Sequence, residues 1–268
     1  MSNAFEINKN SPLISIITVV YNGEKYLENA ILSVAAQTGS RFEYIVVDGG
    51  STDGTVDIIK KHEGKIDKWI SEPDEGIYDA MNKGIRMAEG RVIGILNADD
   101  ELNSGVLDRI SVEFEKDEDL DYVYGFVERI TQSGTVYGIA DSLYQGEISD
   151  RKYRQIPIPH GALFIKKQMF KEIGYYETSY IINSDYDFIL RLIDQNKKGK
   201  RIDLAVSRYR DGGKSSGYLT FWERRKLLKK HGVSLMEREI IVITAITKLL
   251  LTNILPARWV SFIRKEKV

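Results

Sequence analysis

Residues 90–101, GRVIGILNADDE, run an apolar, β-branched series straight into two adjacent carboxylates, Asp99 and Asp100. The apolar part predicts a strand buried on both faces. Adjacent carboxylates repel each other, and a buried, unpaired charge is costly because it loses its water. Such a pair at the end of a buried strand is either an ordinary acidic turn or a place where something cationic sits.

Upstream, strand and helix signals alternate. LISIITVV (13–20) reads as a buried strand, and a helix follows from about Glu24 with Leu27, Ile31 and Val34 on one face. Strand FEYIVV (42–47), helix TVDIIKKH (55–62) and a short strand at KWIS (68–71) come next. In GIYDAMNKGIRMAEG, Ile77, Ala80/Met81, Ile85 and Ala88 recur at helical spacing. Repeated β-α-β units predict an α/β fold with a mainly parallel, Rossmann-like central sheet and helices on both faces. In such sheets ligands bind outside the carboxyl ends of the strands, where NADD falls.

Beyond Asp121 the pattern loosens. YVYGFVERI and ALFIKK read as strands, and Phe188, Leu192 and Ile193 lie in helical register in NSDYDFILRLIDQN. After Gly217 the chain turns helical and basic (FWERRKLLKKHG), then apolar over 240–255. The expected organisation is one domain over 12–217 and a helical C-terminal extension over 218–268. At 268 residues the chain can bury a large core, and its net charge of −1 offers nothing to nucleic acid. The absence of cysteine excludes disulfides and zinc–thiolate sites and fits a reducing compartment. The N-terminus has no basic segment followed by an apolar stretch, so it does not read as a secretory signal. A cytoplasmic protein is expected.

The strand ends carry the chemistry. Thr18 and Asn22 close the first strand, and Asp48 leaves the second beside two glycines that allow close backbone approach. Asp53 reads as a cap for the helix near Thr55, whereas Asp48 suits a base or ribose hydrogen bond. Asp99 and Asp100, with no cysteine and no clustered histidine nearby, suit a hard cation such as Mg²⁺ or Mn²⁺ shared with phosphates.

Taken in order, SIITVVYN, VVDGGSTDGT, EPDEGIYDAMNKGI, GRVIGILNADDE, HGALFIKKQMFKEIGYYE and SDYDFILRL resemble the family 2 glycosyltransferases, from about Pro12 to Gly217. That family has the GT-A fold and transfers sugars from nucleotide-sugar donors. The chain is most similar to bacterial members that build exopolysaccharide or surface glycans. The resemblance implies a metal-dependent, inverting transfer of a single sugar from a UDP- or GDP-sugar to a glycan or lipid-linked acceptor. It places Thr18, Val20, Asn22 and Asp48 in the nucleotide pocket, and Asp79 and Asn82 on the helix covering the donor. Asp99 and Asp100 fall in the metal motif, with Asp99 also towards the donor. Asp185 matches the general base and His160 the acceptor cleft. Read without the resemblance, Asp185 is a helix N-terminal charge favourable to the dipole, and His160 a structural histidine. The chain departs from the family at Gly49 and Asn97, where aspartates are common, and at Ser184, where a glutamate is common.

Other signals are weaker. GGKSSG (212–217) imitates a P-loop end, but Arg208 stands where the earlier glycine belongs, and after Ser215 the only histidine, His231, and the one acid before it, Glu223, lie in the same helical stretch; a loop closing over the substrates is the better reading. LPARW (255–259) lacks the glutamine of the processive synthases' Q-x-x-R-W. The 240–255 segment is short of the roughly 20 residues of a span. It reads as a core-packing helix or as part of a peripheral contact of 220–268 with the inner face of the plasma membrane, helped by Trp259 and Phe262. A nucleotidyltransferase and a non-catalytic nucleotide-sugar-binding protein remain the alternatives.

Overall fold

Strand β1 (Ile14–Val20) is buried at every position, as a central strand covered on both faces requires. It pairs in parallel with β2 (Phe42–Asp48) on one side and β4 (Val92–Asn97) on the other, and β2 pairs in parallel with β3 (Lys68–Ser71). The structure, a computed structural model, describes residues 13–39, 41–141, 148, 151–210 and 218–254. GGKSSG, LPARW, Trp259 and Phe262 lie outside the described residues.

The crossovers between the parallel strands are α1 (Leu27–Ala35), α2 (Thr55–Lys61) and α3 (Ile77–Met87). The sheet continues through β8 (Leu163–Lys166), β6 (Tyr122–Ile130), β9 (Gly199–Arg210) and the two-residue β5 (Glu101–Leu102), in the order β3-β2-β1-β4-β8-β6-β9-β5. Strand β7 (Val136–Ala140) hairpins onto β6. Strand β8 joins the two halves antiparallel to both β4 and β6, whereas the long β6–β9 pairing is parallel. The fold is α/β, as expected, with its antiparallel strands confined to the second half.

Strand alternation divides the core into two layers. Ile17, Val19, Ile45 and Val47 face α3 and α6 (Ser184–Asp194). Ile14, Ile16, Val20, Tyr44 and Val46 face α1 and α4 (Val106–Lys116). Gly84 lets α3 lie close on the sheet: a Cβ there would come within 2.4 Å of Ile17 Cγ2. The helix α5 (Lys167–Glu172) follows β8 directly.

The C-terminal helices α7 (Tyr218–Lys230) and α8 (Leu235–Ile254) dock beside α6. Leu227, Leu228, Val233 and Ile241 join the core layer that contains Tyr186 and Phe188. Thus part of the apolar C-terminal segment packs inward, while Met236, Ile240 and Ile243 are exposed. Among the described residues, no helix is long and apolar enough to cross a membrane.

Candidate active site

Parallel register lines up the strand ends. Val20 lies opposite Asp48, Asp48 opposite Ser71, and Val19 opposite Asn97, so the loops after β1, β2, β3 and β4 all leave the sheet along one edge. The antiparallel register of β8 on β4 brings the short 3₁₀ turn His160–Ala162 to the same edge.

At the β1–β2 end, the expected donor residues are held by the fold itself. Thr18 points into the layer beneath α1, with its hydroxyl 3.0 Å from that of Tyr44. Its side chain thus lies in the layer shared with Ile16 and Val20. Val20 is buried as well, and its carbonyl accepts the Gly49 N–H at 2.9 Å. Asn22 adopts a left-handed backbone (φ 52°) and clips the two loops together. Its N–H donates to Ser51 Oγ at 2.7 Å, and its Oδ1 accepts from Thr52 N–H at 2.9 Å. The Asp48 carboxylate is fully buried and accepts from Ser51 N–H at 3.0 Å, from Ser71 Oγ at 2.6 Å and from the Ser51 hydroxyl. The N-cap position of α2 falls on Gly54, which has no side-chain cap, and Asp53, one residue earlier than expected of a cap, accepts the Thr55 N–H on its Oδ1 at 3.0 Å.

Gly49 leaves room for another carboxylate. A Cβ at Gly49 would lie 2.2 Å from Asp74 Oδ2, so Asp74, from the loop after β3, covers the spot where a second aspartate would branch. Neither residue's own motif reveals this, because the contact joins two loops.

Helix α3 carries Asp79 and Asn82. Asp79 Oδ2 accepts the Glu75 N–H at 3.2 Å and lies 3.5 Å from Lys83 Nζ. The Asn82 amide is buried and bonds the Tyr176 backbone twice, at 2.8 and 3.1 Å. Asn82 thus fastens α3 to the Tyr176 segment, and its amide is committed to that backbone rather than turned to a donor.

At the end of β4, Asp100 is buried. Its Oδ1 accepts the Arg210 N–H at 3.1 Å and its Oδ2 the Asn97 amide at 3.2 Å. Burial, reinforced by the charge of Asp99, pushes the Asp100 carboxyl up to about 7. Burial also raises Asp99, against the opposing charge of Arg210. Arg210, unmarked by any motif, is the cation that the fold itself places beside this pair. Its Nε donates to Asp99 O at 3.2 Å and its Nη2 to Glu101 Oε1 at 2.8 Å.

Asp99 and Asn97 remain for a ligand. Asn97 Oδ1 is buried without a hydrogen-bond partner, which marks it as an acceptor waiting for one. Among the described residues, no group of three or more acidic or histidine side chains converges on a point. A cation here would therefore take one or two protein oxygens and complete its shell from phosphates and water, as Mg²⁺ commonly does. The residues fit that mode, with Asp99 as the carboxylate and Asp100 tied behind it.

The remaining cluster forms around Asp185 in the first turn of α6. The single proton of the Tyr78 hydroxyl is shared between Asp185 Oδ1, at 3.0 Å, and the Ile182 carbonyl. Burial, and then the Asp185 charge, raise the Tyr78 phenol far above its ordinary range, so it stays a donor. The Tyr176 ring is tilted against that of Tyr78, 5.9 Å away, and its hydroxyl shares a 2.9 Å hydrogen bond with His160 Nε2. Burial lowers the His160 pKa against the opposing charge of Asp185, which leaves a neutral imidazole at pH 7. Asp185 and His160 thus belong to one polar cluster, joined through Tyr78 and Tyr176.

The family model described as Glycosyl transferase family 2 matches residues 15–174. This chain belongs to the family 2 glycosyltransferases. A PGL/p-HBAD biosynthesis glycosyltransferase of Mycobacterium bovis (strain BCG / Pasteur 1173P2) is 31% identical over 234 residues, 84% of this chain and 89% of the relative. An uncharacterised glycosyltransferase of Methanocaldococcus jannaschii is 29% identical over 223 residues, 81% and 76% of the two chains. S. aureus TarS 1–349, solved in complex with UDP-GlcNAc, superposes with a TM-score of 0.68 at 19% identity, covering 95% of this chain and 76% of TarS. The same TarS segment with UDP superposes at 0.64, also at 19% identity, covering 95% and 75%. For this family 2 enzyme, likeness at that identity speaks to the GT-A-like fold. The family match ends at Gly174, so α6, Asp185 and the C-terminal helices of the glycosyltransferase lie beyond it.

Proposed function

We propose that this glycosyltransferase moves one sugar from a UDP- or GDP-sugar to a hydroxyl of a glycan or lipid-linked acceptor, with inversion, in surface-polysaccharide synthesis. The observation that carries this reading is the Asp185 pocket: a carboxylate at a helix N-terminus, held by Tyr78, beside a neutral His160. UDP and UDP-GlcNAc in the TarS complexes support a nucleotide donor.

The nucleotide would lie along the β1–β2 strand ends, against the Asn22–Ser51 clip and the Asp48 and Asp74 carboxylates. Asp185 accepts the proton of the acceptor hydroxyl as its oxygen attacks the anomeric carbon. The bond from that carbon to the diphosphate breaks, and the diphosphate leaves with the electron pair. A divalent cation held by Asp99 and Asn97 would offset the charge on the departing diphosphate. His160, anchored to Tyr176, would help to orient the acceptor beside Asp185.

The test is nucleoside diphosphate release from UDP- and GDP-sugars, with Mn²⁺ or with chelator. Release from one nucleotide series, lost on chelation, is expected. Consumption of a nucleoside triphosphate plus sugar phosphate with release of pyrophosphate would replace this reading by a nucleotidyltransferase.

A further inference from the structure

Glu223 lies in α7, in the C-terminal extension and outside the matched part of the family. Its carboxylate is buried and turned onto three successive backbone N–H groups. Oε1 accepts from Ile181 at 2.6 Å, and Oε2 accepts from Ile182 at 2.9 Å and Asn183 at 3.1 Å. The Asn183 amide adds a fourth donor at 3.3 Å. These groups form the turn that leads into α6, two residues before Asp185. A carboxylate cradled by successive N–H groups makes strong, charge-assisted hydrogen bonds.

The Asn183 amide also donates to the Thr220 carbonyl of α7 at 3.2 Å. The Ile181 side chain is 65% exposed, so apolar burial contributes little there. The Ile182 peptide is gripped from both ends: its N–H by Glu223, its carbonyl by the Tyr78 hydroxyl. That same hydroxyl shares its proton with Asp185. A continuous polar chain therefore runs Glu223, Ile182 peptide, Tyr78, Asp185. The extension is fixed on α6 a second time, further along: Asp187 is completely buried, 2.9 Å from Lys230 Nζ and 3.1 Å from His231 Nε2.

We propose that Glu223 is a positioning residue for sugar transfer, through which the C-terminal extension holds Asp185 in place. This rests on Asp185 being the base. Placement errors of about 1 Å in a reacting group cost up to about 100-fold in rate, which sets the size of the effect.

The experiment compares Glu223→Gln in the wild-type and Asp185→Asn backgrounds. The readouts are nucleoside diphosphate release from UDP-N-acetylglucosamine, or from whichever UDP- or GDP-sugar the wild type turns over, and thermal unfolding. Glu223→Gln is expected to lower kcat by about 10- to 100-fold with the donor KM within about twofold. In the Asp185→Asn background the same change should lower the residual rate less than about twofold, because no base remains to be placed. A folded Glu223→Gln enzyme with wild-type kcat, or equal losses in both backgrounds, would overturn the positioning role while leaving the base intact. Wild-type turnover by Asp185→Asn alone would instead remove the reading on which the proposal rests. Should the glutamine variant fail to fold, Glu223→Asp keeps the charge at shorter reach. An intermediate loss of kcat supports the proposal, and an unchanged kcat overturns it.

Discussion

Asp185→Asn should lower sugar transfer by about 10²- to 10⁴-fold, the usual contribution of a positioned general base, while nucleoside diphosphate affinity stays within about twofold. The asparagine keeps the size of the side chain and can still accept from Tyr78, so the pocket should persist. What it loses is the capacity to take up a proton. Initial rates at saturating donor, paired with a binding titration, separate the two effects. A variant that transfers at the wild-type rate would return Asp185 to the role of a favourable helix N-terminal charge.

Arg210→Leu should destabilise the protein by about 3–5 kcal/mol, the cost of removing one partner from a buried charge network. The guanidinium donates to the carbonyls of Asp99, Thr131 and Gln132 and to the Glu101 carboxylate, and lies 4.6 Å above the Tyr26 ring. Leucine supplies none of these bonds and leaves Glu101 and Asp100 without that cation. Because Asp100 already favours its protonated form below about 7, part of the loss should be relieved in acid and be largest above that pH. Thermal unfolding should show a drop of roughly 10 °C for a chain of this size. A change below about 1 kcal/mol would mean that the acid turn is held by other contacts.

The first half of the fold is legible because its strands are covered on both faces. Continuous runs such as LISIITVV leave no other reading, and the α3 pattern closes on the sheet as its spacing demands. Strand β9 is not legible in the same way. GKRIDLAVSRYR interleaves charges with apolar residues because the strand is only partly covered. Helix α4 and strand β7 also went unread.

In the site, position along the chain was readable but side-chain direction was not. Asp48, Asn97, Asp99 and Asp100 all stand at strand ends, as the apolar-to-acidic transitions indicate. Thr18 shares a face with Ile16 and Val20, so its hydroxyl meets Tyr44. Asn82 lies on the expected helix but turns to the Tyr176 backbone. Asp74 and Tyr78 lie inside EPDEGIYDAMNKGI without being singled out by it, and Arg210 and Glu223 carry no motif at all. Their partners are supplied by topology, at separations such as 107 residues for Tyr78 and Asp185, or 110 for Arg210 and Asp100. Arg210 is the cation that the fold itself supplies to NADD.

On the proposed function the pair also meets a cation brought with the donor, and the most direct measurement is calorimetric titration of UDP and GDP into the protein with and without Mn²⁺, repeated with Asp99→Asn. Binding of one diphosphate that requires Mn²⁺, and that weakens at least tenfold (about 1.4 kcal/mol) in the variant, is the expected result. Equal affinity with and without the metal, or in the wild type and the variant, would contradict the metal-assisted account and leave Asp99 as part of an acidic turn.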